Sequence, residues 1–256
     1  MLLKDKVCVI AGAGSPRGIG YATAQLFAEH GARVVMLDIA INDDIVAGLK
    51  AAVAATAGPE ADVVGISCDI SKLDDCKRAV DEIVTRHGAI DCLVNSAGIV
   101  RGTPMLSIEE DEYERILTVN LKGTFNLCQA VLPVLVARGC GSIVNLSSSA
   151  AQRGGGLVGG AHYAASKGGV IGLTRTIARE FGPKGIRANI VCPAMIETSM
   201  LDGLPENRLR EIVAAVPLQR AGLPREAAGA CLFLASELGG FVTGATIDVN
   251  GGSHIH

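Results

Sequence analysis

The sequence has no run of basic residues, and its 23 Lys and Arg nearly cancel against 26 Asp and Glu. That balance argues against a nucleic-acid footprint and against a polybasic membrane patch, because both need a concentrated positive field. No apolar stretch reaches the roughly 18 residues expected of a membrane span without a Gly, Lys, Asp or Arg. The start, Met-Leu-Leu-Lys-Asp-Lys, lacks the apolar core of a secretion signal, so a cytoplasmic protein is expected. Eight cysteines are present, yet no C-x-x-C pair, and several sit in apolar runs such as Val-Cys8-Val-Ile. Buried, reduced thiols are therefore expected rather than a disulfide framework or a metal site. Low-complexity tracts, linkers and internal repeats are missing as well, which leaves one domain over residues 1–256 as the economical organisation.

What is present is apolar: 49% of residues are hydrophobic and only 19% charged. Area scaling allows a chain of this mass to bury about 72% of its extended surface. Large hidden faces, including faces between subunits, are expected.

Short β-branched runs at 6–11, 33–38, 62–68, 90–95, 141–147, 186–192 and 245–249 alternate with helical patterns at 18–30, 42–57, 72–87, 107–137, 162–181, 204–214 and 224–237. Such alternation predicts βαβ units and an α/β fold: one doubly wound domain, a seven-stranded, mostly parallel sheet with helices on both faces. Ser107-Ile-Glu-Glu110 reads as a capping box, and Pro224 suits a first helical turn. Ligands of doubly wound sheets lie beyond the carboxyl ends of the strands, and the motifs fall there.

After the first strand comes Ala11-Gly12-Ala13-Gly14-Ser15-Pro16-Arg17-Gly18-Ile19-Gly20, opening into a helix. Glycines let backbone N–H groups and a helix N-terminus approach a pyrophosphate. The second strand ends in Asp38, placed to accept hydrogen bonds from the hydroxyls of an adenosine ribose. A 2′-phosphate there would meet a like charge, a repulsion of about 4 kcal/mol at about 4 Å and an effective dielectric near 20. Asp38 therefore favours NAD over NADP. Arg17 is the dissenting residue, able to reach either a 2′-phosphate or the adenosine edge. Asp69 can accept from an adenine amino group or serve as a helix cap. Asn95 and the small residues after it can approach the cofactor or simply build a turn.

Tyr163-Ala-Ala-Ser-Lys167 puts a phenol and an amine on one helical face. An ammonium within about 4–6 Å would favour the phenolate and equip Tyr163 as an acid/base. Upstream, Ser147-Ser148-Ser149 places hydroxyls where a substrate oxygen could be held, and Asn120 sits inside a helical pattern where Asn is a poor helix former. Gln152 and Arg153 can contact a polar substrate or face solvent. His162 points away from Tyr163, and the tail His254-Ile-His256 lacks a third metal ligand.

Together, Gly14-x-x-x-Gly18-x-Gly20, Asn95-Ser-Ala-Gly98, Asn120, Ser148, Tyr163-x-x-x-Lys167 and Pro193-x-x-x-x-Thr198 resemble the short-chain dehydrogenase/reductase family over essentially the whole chain. The resemblance implies Tyr163 as general acid/base, Lys167 as its pKa-lowering partner and a ligand of the nicotinamide ribose, Ser148 as substrate-orienting residue and Asn120 as support of a water relay. It implies a cofactor cleft of Gly14, Arg17, Gly18, Ile19, Gly20, Asp38, Asp69, Ile70, Asn95, Ala97, Gly98, Pro193, Ile196 and Thr198, no metal, and a homotetramer. Ser148 lies 15 positions before Tyr163, where the family usually has 12 to 13, so Ser147 and Ser149 are alternatives. Family members with this pattern include sugar or polyol dehydrogenases and 3-oxoacyl reductases. Since the latter usually draw on NADPH, Asp38 tilts the expectation toward an NAD-linked polyol or sugar dehydrogenase. A non-catalytic dinucleotide-binding scaffold is the alternative of another class.

Overall fold

The computed structural model describes residues 1–58, 61–155, 158–202 and 205–255, apart from the side chain of Arg208. Seven strands form one sheet in the order β3-β2-β1-β4-β5-β6-β7: β1 (Val7–Ala11), β2 (Arg33–Asp38), β3 (Val63–Ser67), β4 (Cys92–Asn95), β5 (Gly141–Leu146), β6 (Ile186–Pro193) and β7 (Thr246–Val249). Every pairing is parallel, so the sheet goes further than the mostly parallel one expected.

Each central strand is apolar on both faces because both faces are covered. In β1, Val7, Val9 and Ala11 enter one core while Cys8 and Ile10 enter the other. The first core is roofed by α3 (Leu73–His87), α5 (Gly123–Arg138) and α7 (Ala161–Phe181); the second by α1 (Ile19–Glu29), α2 (Asp43–Ala57) and α9 (Pro224–Ala235), with α8 (Glu206–Ala214) between β6 and α9 in the chain. On α3, buried Cys76, Ala79, Val80 and Ile83 follow the helical period, which is why that segment folds as an amphipathic helix. A fully buried Leu or Ile side chain is worth about 1.5–3 kcal/mol, and Ile10, Ile83, Leu93 and Leu127 are all at that limit. Seven cysteines are buried and free; Cys140 is exposed.

The long pattern at 107–137 resolves into α4 (Glu110–Leu117), a π turn over Thr118–Lys122 and α5. From Glu110 to Arg138 this stretch is long and apolar enough to cross a membrane by length and composition, but 56% of its most apolar window is buried inside the protein, as in a core helix. The capping box at Ser107 does not form. Ser107 belongs to a 3-10 turn closed onto Pro104, so the helix begins later, after Glu109 and with no side-chain cap. Pro224 does open α9, where the Leu223 N–H donates to Glu226 at 2.7 Å.

Strand order reverses between β1 and β4. The crevice this leaves at their carboxyl ends is the ligand position of such sheets.

Candidate active site

One wall of the crevice is the glycine loop. Gly12 has φ +78°, and a Cβ there would lie 2.4 Å from the Ala97 nitrogen, so the loops after β1 and β4 touch backbone to backbone. Gly20, in the first turn of α1, would meet the Gly12 carbonyl at 2.2 Å if it carried a side chain. Gly18 caps the helix and donates its N–H to Ser15 at 2.8 Å, with Ile19 opening the first turn. The Gly14 N–H donates to Asp38 Oδ2 at 2.9 Å, and Ala40 N–H donates to Asp38 Oδ1 at 3.0 Å. A methyl on Gly14 would sit 2.6 Å from the Asp38 carboxyl carbon. The missing side chain thus clears a floor over which the carboxylate is held by two amides.

Arg17 makes a fork-to-fork pair with Asp202, at 3.0 and 2.9 Å. The guanidinium ties the glycine loop to the segment after β6 instead of standing free for a phosphate. Nothing in the sequence flagged Asp202, which lies 185 positions from Arg17.

Asp69 forms a local turn: its Oδ1 accepts from the Ser71 N–H and hydroxyl at 3.1 and 2.6 Å, and these bonds hold its carboxyl below the usual range. Lys72, not Asp69 or Ser71, is the residue that precedes α3. Ile70 is buried on Gly123, and its carbonyl accepts from Asn126 at 2.9 Å. Asn95 is 2% exposed and donates to Asn145 at 2.7 Å, which in turn donates to Thr174 at 2.9 Å. Its amide is committed to joining β4 to β5, while its Oδ1 is buried without a partner.

The π turn gives Asn120 its position. Fully buried, it accepts from the Ile99 N–H at 2.8 Å and donates to the Ile99 carbonyl at 2.9 Å and to Ser166 Oγ at 3.1 Å. π turns occur often at functional sites, and this one clamps the loop after β4 onto α7. A Cβ on Gly98 would stand 3.2 Å from Asn120 Oδ1 and 3.3 Å from Lys167 Nζ, so Gly98 is the open floor between those two groups.

Tyr163 and Lys167 share the first turns of α7, the helix that packs on β5 and β6. Burial pushes the Tyr163 phenol above its ordinary 10.0, opposed by a hydrogen bond with Ser148 and reinforced by Cys192. Lys167 donates to the Leu146 carbonyl at 2.9 Å, and burial pushes its ammonium from 10.5 down to about 8. The amine is turned to a β5 carbonyl and is itself short of solvation.

Among the three serines, Ser148 is the one that reaches Tyr163; Ser147 donates instead to the Lys167 carbonyl at 2.8 Å. Ser148 also caps α6 (Ser149–Arg153), accepting from Ala150 N–H at 3.1 Å. This short helix, absent from the sequence expectation, takes up part of the long spacing before Tyr163. On it Gln152 donates to Asp248 at 2.9 Å, while Arg153 is exposed. His162 is buried with Nε2 3.0 Å from Glu112 Oε1, so it packs α7 against α4. Cys192, in register with Asp248, is pushed up to about 11 by burial and lies beside Ser147 and Lys167.

The far wall follows β6. Pro193 ends the strand, Ile196 bridges to Gly222, and Thr198 caps a 3-10 turn at Ser199–Leu201, accepting from Met200 N–H at 3.3 Å. His256 lies outside the described residues; the His254 carbonyl accepts from Asn250 at 2.8 Å. Two loops that meet without side chains, with a carboxylate at one end and an amine at the other, fit an extended dinucleotide.

Comparison with known proteins agrees with this architecture. Residues 12–254 match the family model described as enoyl-(acyl carrier protein) reductase. The chain is 46% identical, over the full length of both, to the uncharacterized short-chain type dehydrogenase/reductase y4mP of Sinorhizobium fredii. It is 41% identical to the 3-oxoacyl-[acyl-carrier-protein] reductase FabG of Thermotoga maritima, over 98% of this chain and 99% of that one. A short-chain dehydrogenase/reductase structure from Burkholderia xenovorans superposes with a TM-score of 0.91 at 34% identity, covering 98% of this chain and 97% of the other. The chain belongs to the short-chain dehydrogenase/reductase family, whose members are oxidoreductases that bind a nicotinamide dinucleotide.

Proposed function

We propose that this oxidoreductase uses NADH to reduce a 3-oxoacyl thioester to its 3-hydroxy form, with Tyr163 as the proton donor. The observation that carries the reading is the placement of the phenol: Tyr163 stands half-buried in the first turn of α7 beside Ser148, where it can pass a proton to a substrate oxygen. Ser148 holds the substrate oxygen against Tyr163. Asn120 fixes the loop that forms the floor, and Lys167 lies beneath it. When bound, the nicotinamide dinucleotide supplies the hydride, along Gly14, Arg17, Gly18, Ile19, Gly20, Asp38, Asp69, Ile70, Asn95, Ala97, Gly98, Pro193, Ile196 and Thr198.

With a hydride supplied to the carbonyl carbon by that group, the O–H bond of Tyr163 would break and its proton pass to the carbonyl oxygen, leaving the phenolate to be reprotonated. The oxidative direction reverses both and requires the phenolate, so it gains with rising pH as reduction declines. Asp38 supports NADH over NADPH by like-charge repulsion. The pairing of Arg17 with Asp202 points the same way, since it occupies the loop's cation. The thioester preference draws on the acyl-carrier substrates named for the matching family and for the Thermotoga maritima relative, and it displaces the polyol or sugar expectation. Exposed Leu106, Phe125 and Phe241 support assembly into the homotetramer that the family resemblance implies.

The test follows nicotinamide absorbance with NADH and NADPH side by side, over 3-oxoacyl thioesters, sugars and polyols. Faster turnover of a 3-oxoacyl thioester with NADH is the expected result. Turnover of polyols alone would restore the sugar-dehydrogenase reading, and turnover with NADPH alone would defeat the Asp38 argument.

A further inference from the structure

Between Tyr163 and Lys167, Ser166 is the one fully buried residue, at 0% exposure. Its hydroxyl donates to the Tyr163 carbonyl at 2.7 Å and accepts from Asn120 Nδ2 at 3.1 Å. Those roles are forced, because a hydroxyl has one proton and a carbonyl can only accept, which leaves the Asn120 amide to be the donor to Ser166. By helical geometry the same carbonyl also receives the Lys167 N–H, four residues on. The hydroxyl therefore acts on the turn that spaces the phenol from the amine, and back-bonding of this kind often bends a helix.

Different elements hold this turn from different directions. From the end of β5 come two bonds: the Ser147 hydroxyl donates to the Lys167 carbonyl at 2.8 Å, and Lys167 Nζ donates to the Leu146 carbonyl at 2.9 Å. From the π turn over Thr118–Lys122 comes one, that of Asn120, and among the described residues it is the only hydrogen bond joining that turn to α7. Asn120 meanwhile grips both backbone groups of Ile99, at 2.8 and 2.9 Å. Its Oδ1 and Lys167 Nζ both abut Gly98, 3.2 and 3.3 Å from where a Cβ would lie. The bond from Asn120 to Ser166 thus registers the loop after β4 against the turn that carries the phenol and the amine.

The plain alternative is a buried hydroxyl that merely satisfies itself. A hydroxyl in the interior costs free energy unless it is bonded, and Ala is the better helix former. The Tyr163 carbonyl has its helical partner without Ser166, so the serine adds nothing to α7 that Ala would not. What it adds is the link to Asn120. Leu121 also packs on this helix, where a Cβ on Gly169 would lie 2.7 Å from its Cδ2, but an apolar contact does not fix where the Asn120 amide points.

We propose, on the reading of Tyr163 as the proton donor, that Ser166 is a positioning residue for the reaction. It fixes Asn120 against the turn from Tyr163 to Lys167 and so sets the loop after β4 relative to the phenol. Without the hydroxyl, Asn120 keeps its hold on Ile99 but is free to shift against α7. An error of about 1 Å in such placement can cost about 10²-fold in rate.

A double-mutant cycle on the full chain tests this, with Ser166→Ala, Asn120→Ala and the two combined. Turnover at saturating cofactor is followed with whichever substrate of the panel above the unsubstituted protein uses. Exchange of the Ile99 amide proton, followed by NMR, is a second readout that needs no substrate. Ser166→Ala should lower kcat about tenfold and quicken Ile99 exchange about tenfold, as expected for one buried hydrogen bond. Affinity for NADH should stay near wild type, because the glycine loop and Asp38 are untouched. With Asn120 already replaced, adding Ser166→Ala should cost little further kcat, since the group it positions is gone. Thr176→Ala removes an exposed back-bond on the same helix, to the Gly172 carbonyl at 3.1 Å, and should change neither readout. An unchanged kcat in Ser166→Ala, an equal further loss in the Asn120→Ala background, or an unaltered Ile99 amide overturns the proposal. Turnover of polyols alone, or with NADPH alone, defeats the function proposed above and leaves this cycle readable; with no turnover of any substrate, Ile99 exchange decides.

Discussion

The two ends of the catalytic crevice are built on different principles. At the adenosine end, Gly12, Gly14 and Gly20 let backbone approach backbone, and Asp38 is held half-buried by two amide donors. At the nicotinamide end, a phenol is half-buried and an amine buried outright, and burial is the main cause of both pKa shifts. One end recognises by vacant space, the other reacts by withheld water. Substitutions at the first should therefore act through shape and affinity, and at the second through proton chemistry and its cost in stability.

Replacement of Tyr163 by Phe should have the largest effect. It should lower turnover by about 10²–10⁴ while NADH affinity, read from nicotinamide fluorescence, stays near wild type. A dinucleotide-binding scaffold without catalysis would show no turnover to lose, so the same variant separates the two classes.

Lys167→Met tests the cost of burial. The amine's pKa is lower in the folded chain, about 8, than the ordinary 10.5, so the unfolded chain binds more protons between those values. The penalty is then complete below about pH 8, worth about 3 kcal/mol, and is relieved as pH rises to about 10.5. Urea unfolding of both proteins at pH 7 and 10.5 should show the wild type gaining about that much on the variant. Parallel behaviour of the two would mean that Lys167 keeps its water in solution.

Asn120→Ala should cost about 1–3 kcal/mol of stability by the same urea assay. It strands the Ile99 N–H and carbonyl in the interior, removing the clamp between the two ends. Gly14→Ala, at the end built on space, should weaken NADH binding about tenfold by pushing on the Asp38 carboxylate, with turnover at saturation retained. A larger loss of turnover than of affinity would mean that the two ends are not separable. The smallest effect is expected for Asp202→Ala: Arg17 and Asp202 are 62% and 57% exposed, and such pairs are worth about 0–1 kcal/mol. It should raise NADPH use relative to NADH a few-fold at most, and added salt should erase the difference.

Much of the scaffold was legible because it is written locally. The seven β-branched runs became the seven strands within a residue or two, and the glycine loop, Asp38, residues 95–98 and the three serines fell at strand carboxyl ends, since period and turn chemistry act over a few neighbouring residues. The miscapped start at Ser107 and the unforeseen α6 show the limit. Whether Ser107 caps a helix depended on Pro104 closing a tighter turn first, and α6 depended on Ser148 turning its hydroxyl to the Ala150 amide. Asn120 was legible as misplaced in a helix, but not the π turn that accommodates it.

By itself the sequence determined the alternation of strands and helices, the glycine loop, the carboxylate at position 38 and the phenol and amine four residues apart. The tertiary structure decided which of three serines reaches Tyr163, that Lys167 faces a carbonyl of β5, that Arg17 is taken by Asp202, and that the Asn95 amide is committed to Asn145. The reason is common to all four: local conformation follows from adjacent residues, whereas burial and pairing depend on surfaces contributed by segments far apart in the chain.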